Sequence, residues 1–161
     1  MNEDSQIAPI FKAQKHCVIF IGIQASGKTT FYQRFCAATH AHINLDTLNT
    51  RNKEMLAISE CLASGKSFVV DNTNPTKADR KRYIPLAKGA GYEVMGFYFR
   101  SVLAESKKRN AERDGKFRIP DKGIGGTAAR LEMPSLDEGF DGLWYVHIEN
   151  GEFVVAPWRP E

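Results

Sequence analysis

Apolar residues cluster in short runs separated by stretches with a helical period. Residues 17–22 (CVIFIG), 67–70 and 92–99 are apolar and rich in β-branched and aromatic side chains, and 41–45 is a shorter run of the same kind. Continuous runs of this length predict strands buried on both faces. Between them, 28–37 places Phe31, Tyr32, Phe35 and Cys36 on one helical face. Residues 52–64 align Met55, Ile58, Cys61 and Leu62 in a stripe that ends at Gly65, a helix stop. Asn74-Pro75 has the form of a cap followed by a first-turn proline, which predicts a helix to about residue 88, kinked at Pro85. A further helix is expected over 101–113. Residues 114–126 read as loop-like, with a helix following. Residues 144–148 and 152–155 flank Asn150-Gly151, the signature of a tight hairpin.

Strands alternating with helices predict an α/β fold: a mostly parallel central sheet with helices on both faces. With 161 residues the chain is expected to form one domain over 17–161, preceded by a flexible tail over 1–16. No run of about 18 apolar residues is present, so no membrane span is expected. The polar, partly acidic start has no signal-peptide pattern. Cys17, Cys36 and Cys61 are odd in number and lack CxxC spacing, which suits buried thiols in a reducing cytoplasm. His16, His40, His42 and His147 form no zinc-ligand pattern with them.

The net charge is only +3, but residues 77–122 hold 13 basic against 6 acidic side chains, and residues 131–161 hold 1 against 7. A basic middle suits a polyanionic ligand, and equally a solvated helix face.

Residues 22–29, Gly-Ile-Gln-Ala-Ser-Gly-Lys-Thr, match GxxxxGK[ST]. Glycines let backbone N–H groups curl around phosphate oxygens, and the next helix offers its positive end to the same anion. Lys28 would reach the β- and γ-phosphates, and the Thr29 hydroxyl would ligate Mg²⁺. Gly22, Gln24, Ala25, Ser26, Gly27, Lys28, Thr29 and Thr30 are therefore the expected nucleotide-binding residues. Asp46 falls at the predicted C-terminal edge of a strand, where open α/β sheets bind ligands. It suits a general base for an acceptor hydroxyl, or a helix cap. Asp71 follows an apolar strand, as a metal-holding carboxylate does, or as a turn residue does. Arg109 and Arg113 share a helix face before a glycine-containing loop. They suit a lid over a triphosphate, or a solvated helix end.

GIQASGKTT, HINLDTL, VVDNTNP, KKRNAERDGK ahead of IP, and EMPSLDEGF occur in this order between residues 17 and 140. Together they resemble the kinase domain of the 5′-polynucleotide kinases. The resemblance implies a P-loop kinase fold with a lid over about 107–126, use of ATP and Mg²⁺, and phosphorylation of a 5′-hydroxyl on DNA or RNA. It implies Asp46 as general base, Lys28 and Arg113 as stabilisers of the transferring group with Arg109 beside them, and Thr29 and Asp71 at the metal. A role in nucleic-acid repair follows, without a membrane or an obligate protein partner. Two departures stand out. Leu45 occupies a place that is often basic, and Asn49 lies where the phage enzyme has an arginine, with Arg51 nearby as a substitute. Both changes leave room for a smaller hydroxyl acceptor, as in gluconate kinases and zeta-type toxins.

Overall fold

The computed structural model describes residues 6–12, 14–115 and 118–158. Six strands form one sheet: β1 (His16–Ile21), β2 (Ala41–Ile43), β3 (Phe68–Val70), β4 (Glu93–Phe99), β5 (Gly142–Glu149) and β6 (Glu152–Pro157). Their order is β2-β3-β1-β4-β5-β6. The first five are parallel, and β6 returns antiparallel through the Asn150-Gly151 turn. Both turn residues have positive φ, which Asn and Gly tolerate.

Among the described residues seven α-helices connect and cover the strands: α1 (Lys28–Phe35), α2 (Leu45–Leu48), α3 (Arg51–Ser64), α4 (Lys77–Arg80), α5 (Ile84–Gly89), α6 (Leu103–Ala111) and α7 (Asp121–Arg130). Every residue of β1 is buried, which explains the unbroken apolar run that follows His16. Ile19 and Ile21 face a core with Ile58 of α3, Ile84 of α5 and Tyr83 just before α5. Val18 and Phe20 face a second core with Phe31 and Phe35 of α1. Both tryptophans cover core: Trp144 stacks on Phe97, and Trp158 meets Tyr98 edge-on at 5.1 Å.

Three expectations need correction. The segment read as a loose tail is anchored where it is described. A 3-10 helix over Ala8–Lys12 buries Phe11, whose ring stacks on Phe97 at 5.2 Å, and Ile7 is also buried. Burying such a side chain contributes about 2 kcal/mol, enough to hold a short segment down. The single helix expected from Asn74 is two helices. Thr76, not Asn74, caps α4 in a box with Asp79, and Pro85 lies in the first turn of α5 instead of kinking a longer helix. Asn74 has φ +43 and donates its side-chain amide to Phe20 O, tying the loop after β3 to β1. Residues 121–130, read as mostly loop, form α7.

His16 Nδ1 and His40 Nε2 lie 3.0 Å apart, and both rings are buried beneath Phe11. Burial lowers both pKa values to about 4, and for His40 the neighbouring His16 adds to the effect. Below the unfolded value of about 6.5 the unfolded chain takes up protons that the folded chain refuses. Stability should therefore fall as the pH drops from 6.5 towards 4, by about 2–5 kcal/mol for the pair. Denaturant midpoints at pH 7 and pH 4.5 measure this. Equal midpoints would mean that the rings protonate freely in the fold.

Candidate active site

The central strand β1 delivers residues 22–28 to the C-terminal edge of the sheet. Gly22 is needed for close approach: a Cβ there would lie 3.1 Å from Phe99 O and from Ser26 Oγ. Its N–H donates to Thr73 O at 3.0 Å, joining the loop to the segment after β3. Gly27 has φ +98, and a Cβ would press on Ile148 and Phe153 at 3.2 Å. Ile23 N–H donates to Ser101 Oγ, and Gln24 Nε2 donates to Thr127 Oγ1 of α7. Ser26 and Ala25 are buried, whereas Thr30 is exposed on α1.

The loop closes around the Lys28 ammonium. Nζ donates to Gly22 O at 2.9 Å, to Ile23 O at 2.7 Å and to Ser26 Oγ at 3.3 Å. Burial is the main cause that brings the Lys28 pKa down to about 8. Arg113 lowers it further, and Asp71 and Asp46 oppose the fall.

Asp71, only 2% exposed, leaves the end of β3 with two partners on Oδ2. Thr29 Oγ1 donates to it at 2.8 Å, and His42 Nε2 sits at the same distance. Because a carboxylate accepts, His42 carries a proton on Nε2 in this arrangement. Tyr32 stacks on the His42 ring at 4.1 Å and fixes its plane. His42 was not among the expected site residues. Its signal lay in the strand pairing, since β2 runs parallel to β3 and carries a polar side chain beside the strand that ends at Asp71.

Asp46 lies exposed in the first turn of α2. It is no cap: Asn44 caps α2 and Thr50 caps α3. Asn44 also donates from Nδ2 to Asp71 O at 2.7 Å, so the two acidic segments are braced against each other. Arg109 Nη1 donates to Ala25 O at 3.3 Å, bringing α6 onto the phosphate loop. Arg113 is exposed just past the end of α6. Buried Asn110 grips the backbone of Ile119 at both N–H and C=O, which sets where the segment leaves α6. Lys116, part of the expected lid, lies outside the described residues. Arg51 does not stand ready near Asn49: its Nη1 donates to Glu54 and to Tyr83 Oη, both at 2.9 Å. Among the described residues no three His, Cys, Asp or Glu side chains form a metal cluster.

A parallel sheet with a phosphate-type loop at its central strand, a carboxylate at the next strand end and a basic helix leaning over the loop is a P-loop kinase fold. The AAA domain family matches residues 50–134, more than half of the chain, and the chain belongs to that family. It is 29% identical over 139 residues to the bifunctional polynucleotide phosphatase/kinase of Schizosaccharomyces pombe, covering 83% of this chain and 34% of that protein. It is 33% identical over 141 residues to a putative bifunctional polynucleotide phosphatase/kinase of Acanthamoeba polyphaga mimivirus, covering 81% and 32%. The chain thus spans about a third of the length of these curated relatives. In structure it resembles a gluconokinase from Sinorhizobium meliloti 1021, with TM-score 0.61, 17% identity and 84% of each chain covered. Among the described residues no helix is long and apolar enough to cross a membrane.

Proposed function

We propose that this chain is an ATP-dependent kinase that transfers the γ-phosphoryl group to the 5′-hydroxyl of DNA or RNA. One observation carries the reading: Thr29 of the phosphate loop donates to Asp71 Oδ2 at 2.8 Å, and Asn44, two residues before Asp46, donates to Asp71 O at 2.7 Å, so the Asp46 segment is braced against the carboxylate at the loop. Acceptor-side and donor-side groups therefore share one site. The names of the two curated relatives support a polynucleotide acceptor.

Asp46, exposed at the sheet edge, takes the proton of the acceptor hydroxyl as its oxygen attacks the γ-phosphorus. One P–O bond forms to the acceptor, the bond to the β-phosphate oxygen breaks, and ADP leaves. Lys28 and Arg113 bear on the charge of the transferring group, and Arg109 holds α6 to the loop. A hydroxyl and a carboxylate 2.8 Å apart at the start of α1 are hard oxygen donors that fit Mg²⁺, with Thr29 and Asp71 as the residues that would hold it. Bound Mg²⁺ supplies charge neutralisation on the polyphosphate. The same reading places the protein in the cytoplasm, in nucleic-acid repair.

A polyphosphate beside Lys28 favours the charged amine. Above pH 8, nucleotide binding should therefore take up close to one proton, and affinity should fall about tenfold per pH unit. Calorimetry at pH 7 and pH 9, in buffers of different ionisation enthalpy, reads the proton directly. No difference between the two would contradict a lowered Lys28 pKa that bound phosphates relieve.

A second reading, a kinase of a small hydroxyl compound, draws on the neighbourhood of Asp46. Leu45 precedes it, and Arg51 is engaged by Glu54 and Tyr83. Salt separates the two readings. The KM of a single-stranded acceptor should rise steeply between 50 and 200 mM salt, because phosphate contacts release counterions, whereas a neutral small acceptor should show little change.

A further inference from the structure

The general-base segment is held by a buried polar relay centred on Glu54. Glu54 of α3 is fully buried. Its carboxylate accepts from Arg51 Nη1 at 2.9 Å, from Tyr83 Oη at 3.1 Å and from Asn72 Nδ2 at 2.9 Å. Burial, and next the Glu54 charge, raise the Tyr83 phenol pKa, so Tyr83 remains a donor. A carboxylate taken out of water persists only when its lone pairs are filled in this way.

Asn72 gives the network a direction. An amide that donates from Nδ2 towards Glu54 must present Oδ1 to the other side, and there it accepts the N–H of Leu45 at 3.0 Å. Leu45 is the first residue of α2 and precedes Asp46. As the first N–H of a helix it has no acceptor within the helix, so Asn72 holds the first turn that Asn44 caps. On the other side, Asn44 is tied to Asp71 O. We infer that Glu54 is a positioning residue: by fixing the orientation of the Asn72 amide it sets the Leu45 N–H, and with it the placement of Asp46 at the acceptor site. This rests on the reading of Asp46 as general base. Glu54 touches no reacting atom. Its effect is on the geometry of transfer, not on nucleotide binding, because none of its contacts reaches residues 22–29.

The relay has a polarity that can be reversed. In Glu54→Gln an amide group faces donors that need an acceptor. In Asn72→Asp two carboxylates face each other. Combining them restores a donor–acceptor pair at unchanged net charge, with the new amide donating to the new carboxylate, whose second oxygen still accepts Leu45 N–H. The test measures kcat for transfer, the dissociation constant for ATP and hydrogen exchange of the Leu45 amide in all four proteins. Each single variant should lose about thirtyfold to a hundredfold in kcat, with ATP affinity within about twofold of the parent. Its Leu45 amide should exchange faster. The double variant should recover both readouts to within about threefold. Unchanged Leu45 exchange in the single variants, or a double variant no better than Asn72→Asp, would overturn the relay. If Glu54→Gln alone does not fold, the comparison of the double variant with Asn72→Asp decides. A parent that transfers nothing would refute the kinase reading, and the amide exchange would still judge the relay by itself.

Discussion

Asp46→Asn is expected to bind ATP as the parent does and to transfer phosphate about a thousandfold more slowly. The carboxamide keeps the shape of the side chain and removes its ability to take a proton. Little else should change. Asp46 is exposed and caps no helix, so its replacement should cost the fold less than about 0.5 kcal/mol. Lys28 would lose one of the two negative charges that support its protonation, but Asp71, the stronger of them, would remain. Single-turnover transfer and equilibrium nucleotide binding separate the two effects. A variant that no longer binds ATP would make Asp46 part of the nucleotide site. A variant that retains full transfer would move the base elsewhere.

The second large effect concerns stability. Arg80, on α4, is completely buried and meets Glu138 through two hydrogen bonds, Nε to Oε1 at 2.8 Å and Nη2 to Oε2 at 3.1 Å. Its remaining arm donates to Asn74 O at 2.9 Å. Arg80→Met leaves the Glu138 carboxylate in a desolvated place without its cation, at a cost of about 3–5 kcal/mol. For a chain of this size that is a fall of about 10 °C in Tm. Arg80→Met with Glu138→Leu should recover most of the loss, because no buried charge then lacks a partner. Thermal unfolding of both variants checks the pair. A single variant as stable as the parent would show that the ion pair contributes nothing net.

Some of this architecture was legible in the sequence, and some was not. The phosphate loop could be read because its chemistry is contiguous: eight neighbouring residues carry the glycines, the lysine and the hydroxyl. Asp71 could be read because it follows a strand whose burial leaves an unbroken apolar run. Arg109 was visible as a basic helix residue, but its reach to Ala25 depends on how α6 leans over a loop 84 positions earlier. Glu54 was hidden. In RNKEM it resembles any solvated helix acid, and only the approach of Tyr83 and Asn72 makes it a buried centre. Arg80 and Glu138 are 58 positions apart, and neither has a local pattern that announces a partner. The break between α4 and α5 was missed for a different reason. Thr76 closes a capping box with Asp79, whereas the Asn74 amide is drawn away by Phe20 O. The first described residues were misread because Ile7, Ile10 and Phe11 make up a single turn of apolar spacing, interrupted by Pro9 and set between polar residues, too short to stand out as an element.

Phosphoryl transfer to a 5′-hydroxyl can be followed with γ-labelled ATP. The purified protein with Mg²⁺ would be offered matched DNA and RNA oligonucleotides carrying either a 5′-hydroxyl or a 5′-phosphate. Label is expected on the 5′-hydroxyl strands alone. Label on neither strand, from protein that binds ATP, would contradict it.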